Sequence, residues 1–282
     1  MRAARFDYHV HESYSSDARD STVEVYIEAA EKKGIEEIAL TTHQIIMGPD
    51  YDFGIQLDEI SHYVDNIQRL DDTTDVKLLV GLEMDYFSSA ERELETIVDE
   101  YSFDFILGST HFVGKYDVGA RKDALGYFGG RRLSEATSEY FDLWRRAVES
   151  GLFDVMAHPD YWRRFLYTIR DDPVSFSEYG LVEAAIDSLI SYDVGIELNS
   201  SGIRHEHHIQ YPIREFLEAV HRTGLKKITI GSDSHIPYHL GYWLPEAVEL
   251  LKDVGFKHIS SYENRKNTQH SIDSVVRTVK NK

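Results

Sequence analysis

Two histidines two residues apart open the chain, in Phe6-Asp7-Tyr8-His9-Val10-His11. On a β-strand, side chains at i and i+2 point to the same face, so this stretch sets two imidazoles side by side. Neutral imidazole is a common ligand for zinc, manganese and iron, and such a site needs carboxylates to complete it. Further residues of these types follow, each just past an apolar run. They are His43 in Thr41-Thr42-His43, Glu83 in Gly81-Leu82-Glu83, His111 in Gly108-Ser109-Thr110-His111, and His158 in Ala157-His158-Pro159-Asp160. Asp233 and His235 close the series in Gly231-Ser232-Asp233-Ser234-His235. Taken singly, each is explained by an ordinary hydrogen-bonded polar residue at the edge of a core. Together, buried and convergent imidazoles and carboxylates repel or go unpaired unless cations sit among them. The set predicts a multinuclear metal site.

The elements that position these residues alternate strand with helix. Ser21-Thr22-Val23-Glu24 has the form of a capping box; it opens a helix with apolar residues Val23, Tyr26, Ile27 and Ala30, ended by Gly34. Further helical stripes are Tyr140, Leu143, Trp144 and Ala147, then Leu181 to Leu189, then Ile213 to Val220, then Leu244 to Leu251. Strands are predicted over 35–42, 76–81, 103–107, 153–157, 194–198 and 227–230. The nearly continuous apolar run of 76–81 suits a strand buried on both faces of a parallel sheet. Residues 112–132 carry five glycines and no clear period, which predicts a long loop over one end of the domain. The stripe Ile272, Val275, Val276 and Val279 predicts a docked final helix. No composition shift divides the chain, so 1–282 reads as one α/β domain, a closed or nearly closed (β/α) barrel of about seven strands. In such barrels active sites are assembled at the carboxyl ends of the strands, where every residue of the series falls.

The net charge of −19 argues against nucleic acid or an anionic membrane as the main partner, since polyanion binding needs a basic footprint. There is no cysteine, which excludes disulfides, thiolate metal sites and a cysteine nucleophile. The start runs straight into a strand with no apolar segment long enough for a signal or a membrane span, so a soluble cytoplasmic protein is expected. No motif bears on oligomeric state. Among the remaining histidines, His62 and His221 lie mid-helix, and His258 and His270 in late turns. His205, His207 and His208 sit in a loop at the edge of the site, and His239 follows close on the last motif.

With these motifs in this order, spanning residues 7 to 235, the chain resembles the polymerase and histidinol phosphatase (PHP) family, with Asp17 as a further match. The resemblance implies a distorted (β/α)7 TIM-like barrel holding two or three divalent ions of zinc, manganese or iron. Carried over residue by residue, His9, His11, Glu83 and Asp233 would hold the first metal. Glu83 would bridge to a second with His111 and His158, and Asp17, His43 and His235 would hold a third. Within the family the chain is most similar to stand-alone histidinol-phosphate phosphatases. That implies hydrolysis of a small phosphorylated substrate, L-histidinol phosphate, with hydroxide formed at the metals attacking phosphorus and Glu83, Asp233 and His235 at the reaction centre. Arg164, with Arg163 as its rival, and Arg204 would clamp the phosphate. Asp160 and the Asp50-Tyr51-Asp52 loop are candidates to receive the amine and imidazole of the leaving group. Other readings of the same site are a different small phosphomonoester, a nucleotide or a phosphodiester as substrate. A non-catalytic metal-binding module and a metal-dependent amidohydrolase are further rivals; no lost ligand and no suitably placed lysine favours either.

Overall fold

Apolar residues crowd both faces of the seven predicted strands, which forces helices onto the outside and side chains into the middle. The computed structural model describes residues 2–48, 50–170 and 174–279; Pro49, which precedes Asp50 in the sequence, lies outside them. Its central sheet contains β1 (Phe6–Val10), β2 (Glu37–Gln44), β3 (Lys77–Asp85), β4 (Phe105–Ser109), β5 (Val155–Met156), β6 (Gly195–Asn199) and β7 (Ile228–Gly231). The spatial order is β7-β6-β5-β4-β3-β2-β1 and every pairing is parallel. The two edges then meet. Val10 bridges to Ser234, with His11 N–H donating to the Ser234 carbonyl (2.8 Å) and Ser234 N–H to that of His9 (3.1 Å). The sheet is thus nearly closed into a barrel, and all seven carboxyl ends open on one side.

The helices α1 (Val23–Lys33), α2 (Ile60–Asp71), α3 (Glu91–Glu100), α4 (Arg121–Phe128), α5 (Leu133–Glu149), α6 (Val182–Tyr192) and α7 (Arg214–Thr223) lie between the strands in sequence, and α8 (Leu244–Val254) follows β7. Their inner faces follow the helical period. In α5 the buried set is Leu133, Ala136, Thr137, Tyr140, Phe141, Trp144, Ala147 and Val148, a stripe at i, i+3, i+4 that packs on the barrel. Full burial of a large apolar side chain contributes roughly 1.5–3 kcal/mol, so these stripes, not helix propensity, hold the outer layer.

Three sequence expectations are corrected. The segment 112–132 is not a structureless loop: Phe112–Val113 and Tyr116–Asp117 pair as a small hairpin, and α4 follows, burying Ala124, Tyr127 and Phe128. The tail is not a final helix. A hairpin of His258–Glu263 and Lys266–Ser271 is followed by a strand, Val276–Thr278, antiparallel to Arg2–Ala4. The capping box also fails: Thr22 is the N-cap without a side-chain bond, because the Ser21 hydroxyl donates to the His235 carbonyl instead (2.8 Å). That bond ties the start of α1 to the site.

Candidate metal centre and phosphate pocket

The period-two alternation of β1 and the common polarity of the strands bring all nine candidate ligands to the open end of the barrel. Glu83, on β3, is 1% exposed and lies at the middle. Its Oε1 is 2.8 Å from His158 Nε2 and 3.6 Å from His111 Nε2. Its Oε2 is 3.3 Å from His9 Nε2, 3.4 Å from His11 Nε2 and 3.0 Å from His43 Nδ1. Asp233 Oδ1 faces His11 Nε2 at 3.4 Å and His9 Nε2 at 3.8 Å. Asp17 sits at the rim, its Oδ2 3.0 Å from His235 Nε2 and 3.9 Å from His43 Nε2. Among the described residues four groups can each bring three ligand atoms close together. They are His9-His11-Glu83, His9-His158-Asp233, Glu83-His111-His158 and His11-His43-His235. The resemblance put Asp17 with His43 and His235; the described rings place His11 there as well, its centroid 4.1 Å from His235 and 4.2 Å from His43.

The donor set suits divalent cations on two grounds. The first is orientation. A metal-binding imidazole characteristically donates its other ring N–H to a carboxylate or carbonyl. Here His9 Nδ1 pairs with Glu197 (2.8 Å) and His111 Nδ1 with Asp85 (3.1 Å), while His235 Nδ1 pairs with the Asp233 carbonyl (3.2 Å). Each thus turns Nε2 inward. The second is frustration. His9 Nε2 and His11 Nε2 converge to 3.0 Å, and the buried His43 Nδ1, though 3.0 Å from Glu83 Oε2, is not aligned to form a hydrogen bond with it. A cation among these atoms resolves both.

The electrostatics agree. Burial opposes charge on Glu83, but His9, His43 and His111 hold its carboxyl well below the usual range; Asp233 is held down in the same way by His9, His11 and His235. Burial would depress His9, yet Glu197, Glu83 and Asp233 outweigh it and raise it well above an ordinary imidazole. Asp85 and Glu83 likewise overcome burial and push His111 up to about 10. His11 goes the other way: burial, with His235 and His43 beside it, lowers it well below the ordinary value. The carboxylates therefore draw positive charge into the cluster, and a metal ion takes that place by displacing protons.

The backbone at two of these residues is unusual. His158 has φ +21° and Asp233 φ +54°; such conformations cost on the order of 1–3 kcal/mol and gather at functional sites. Gly231 is needed for a different reason. A Cβ there would fall 2.0 Å from Glu197 Oε1 and 2.5 Å from His9 Cβ, so only glycine lets Glu197 reach His9.

Above the cluster is a cavity of about 260 Å³ lined by Asp17, His43, Glu83, His111, His158, Tyr161, Arg164, Ser201, Arg204, His205, Asp233 and His235. The two predicted clamp arginines are on its wall, and each is held. Arg164 bonds the Tyr161 hydroxyl. Arg204 donates from Nη1 to the Ser232 carbonyl (2.7 Å) and from Nη2 to that of Asp233 (2.8 Å). Arg163 is not on the wall, a correction to its standing as Arg164's rival. It is fully buried against Asp160 (Nε to Oδ2, 2.8 Å) and donates to the Gln210 carbonyl. Successive residues of a tight turn face different ways, and only one of the pair can face the site. Asp160 is therefore consumed by structure: it also accepts from Tyr179 (3.1 Å) and from Ile213 N–H (3.0 Å).

An adjoining cavity of about 470 Å³ shares Asp17, His43, His111, Tyr161 and Arg164 and continues to Asp50, Asp117 and Asp123. Asp52 lines a separate pocket, so of the acidic loop only Asp50 reaches this cleft. His205 reaches the phosphate pocket, where burial, then Arg164, lowers it to about 4; His239 is not on the wall. Sequence reasoning missed Asp85 and Glu197. Asp85 had a signal, since it stands two residues after Glu83 on the same strand face. Asp7, two before His9, had the same one; it accepts from Ser232 N–H (2.8 Å) and Gly241 N–H (2.7 Å) and anchors the loop that carries Asp233.

Comparison with known proteins agrees with this geometry. A model of the PHP domain matches residues 7–201, more than half of the chain. The chain belongs to the PHP family. A probable histidinol-phosphatase of Deinococcus radiodurans is 27% identical over 266 residues, covering 92% of this chain and 97% of that one. A histidinol-phosphatase of Lactococcus lactis is 26% identical, covering 93% and 96%. The Lactococcus lactis histidinol phosphate phosphatase, whose crystal structure holds zinc, L-histidinol and phosphate, superposes with a TM-score of 0.80 at 26% identity. That match covers 94% of this chain and 99% of that one. Among the described residues no helix is long and apolar enough to cross a membrane.

Proposed function

We propose that this PHP-family chain is a metal-dependent phosphomonoester hydrolase, an L-histidinol-phosphate phosphatase, folded as one domain over 1–282. The observation that carries the reading is a single cavity with imidazoles and carboxylates on its floor, Arg164 and Arg204 on its wall, and an acidic cleft beside it. The floor suits metal, the arginines suit a phosphate dianion, and Asp50, Asp117 and Asp123 suit a cationic leaving group.

The metals would be two or three divalent ions, of zinc, manganese or iron. Their ligands would be His9, His11, Glu83 and Asp233, then Glu83, His111 and His158, then Asp17, His43 and His235. When bound, such ions lower the pKa of water toward neutrality and neutralise phosphoryl charge. The chain's own residues do the rest. Arg164 and Arg204 bind the non-bridging oxygens with their planar forks and hold the phosphorus over the cluster. Glu197 and Asp85 fix the tautomers of His9 and His111, so that the cluster is preorganised before substrate arrives. Tyr161 orients Arg164 through its hydroxyl, and the buried floor excludes bulk water. His205, which burial and then Arg164 lower to about 4, offers the pocket a neutral hydrogen-bonding imidazole.

Phosphate release from L-histidinol phosphate beside other phosphomonoesters, a nucleotide and a phosphodiester tests the assignment. Strong preference for histidinol phosphate is expected. Turnover confined to another ester keeps the hydrolase and discards the histidine-pathway role.

A further inference from the structure

We propose that Ser201 is a phosphate-binding residue, its hydroxyl donating to the phosphoryl group alongside Arg204. Ser201 is 2% exposed, lines the phosphate pocket, and its Oγ has no hydrogen-bond partner in the chain. Buried hydroxyls are nearly always paired, and an orphan disfavours the fold. Other serines satisfy their hydroxyls, either by donating to the carbonyl three residues back, as Ser150 does to Ala147 (2.6 Å) and Ser188 to Ala185 (2.6 Å), or across the fold, as the neighbouring Ser200 does to the Tyr242 carbonyl (2.7 Å). Ser201 does not. Among the described residues two other buried hydroxyls lack partners, on Thr110 and Thr229, and neither is on the wall of this pocket.

The placement is built from both sides. Ser201 opens the short turn Ser201–Arg204. Its N–H donates to Asn199 Oδ1 (2.8 Å), and Asn199 Nδ2 donates to Glu197 Oε2 (3.1 Å). Glu197 in turn holds His9. At the other end of the turn, Arg204 grips the carbonyls of Ser232 and Asp233. A Cβ on Gly202 would lie 2.0 Å from the Ile209 carbonyl, so the middle of the turn is pressed against its neighbour and cannot drift. The hydroxyl is therefore fixed in register with both His9 and Asp233, the residues expected to hold the first metal. A neutral donor there adds a third hydrogen-bond direction to the two arginines without adding charge.

The inference rests on the phosphomonoesterase reading, and the test separates the two. Metal-loaded wild type and Ser201→Ala are compared in melting temperature, metal content, calorimetric affinity for inorganic phosphate, and kcat/KM for the best ester of the panel. A hydrogen bond to a charged group is worth about tenfold or more in affinity. The expected result is a melting temperature equal to or above wild type, unchanged metal content, and about tenfold weaker binding of inorganic phosphate. A parallel loss in kcat/KM is expected, with Ser201→Cys, which keeps a weak donor, falling between. Unchanged phosphate affinity in Ser201→Ala overturns the inference, and so does a fall in melting temperature and metal content that accounts for the loss. If wild type hydrolyses no ester yet Ser201→Ala binds phosphate more weakly, the function assigned above fails and this assignment stands.

Discussion

Replacing Glu197 with glutamine probes the cluster without replacing a predicted ligand. Its carboxylate serves three donors: Oε1 takes His9 Nδ1 (2.8 Å), and Oε2 takes the His158 main-chain N–H (3.0 Å) and Asn199 Nδ2 (3.1 Å). Glutamine has one acceptor end. If its oxygen faces His158 and Asn199, its NH₂ meets His9 Nδ1, and the imidazole must move its proton to Nε2, toward the metals. If its oxygen faces His9, its NH₂ meets two donors. The first arrangement takes the Nε2 lone pair of His9 away from the metals, and the second removes the brace of His158. Loss of a group that orients a metal ligand costs 10- to 100-fold in metal affinity, or roughly 1.4–2.7 kcal/mol. Chelator-competition titration of wild type and Glu197→Gln measures this directly, with turnover at saturating metal as the companion readout. Affinity should fall within that range while turnover at saturation largely survives. Affinity within twofold of wild type would refute the argument that Glu197 sets the His9 tautomer for metal.

Three further outcomes follow from the geometry. Arg164→Ala should raise KM by roughly ten- to a hundredfold and leave metal content unchanged, since its bonds do not reach a predicted ligand's backbone. Arg204→Ala should raise KM and also lower metal occupancy, because the carbonyls of Ser232 and Asp233 lose their donors; equal metal content in the two variants contradicts this. Asp160→Ala leaves Arg163 buried and unpaired, which costs about 3–5 kcal/mol and should lower the melting temperature by on the order of 10 °C. A fall under about 3 °C would show that the pair is not the brace described here.

The strand ends were legible because two simple periods coincide: apolar runs mark the strands, and the residue just past each run falls at one end of a parallel barrel. That placed His9, His11, His43, Glu83, His111, His158, Asp233 and His235 together without knowledge of any contact. What escaped has physical reasons. Glu197 lies within a strand whose sequence reads as core, and only the small volume of Gly231 lets it face His9. Arg163 and Arg164 are neighbours, and sequence alone does not say which turns inward. The eight-residue α4 is too short to show a period between flanking glycines. Val275 and Val276 fit a helical stripe equally well, but pairing with Arg2–Ala4 across the whole chain decides for a strand.

The central claim is that the buried cluster holds the metals on which phosphate release depends. Glu83 is the residue to remove, since its two oxygens lie within 3.6 Å of five imidazoles. Metal content and phosphate release from L-histidinol phosphate, measured on one preparation of Glu83→Ala beside wild type, test that claim. Both should be lost together in a chain that still folds. A Glu83→Ala protein that keeps its metal and its turnover would contradict the account.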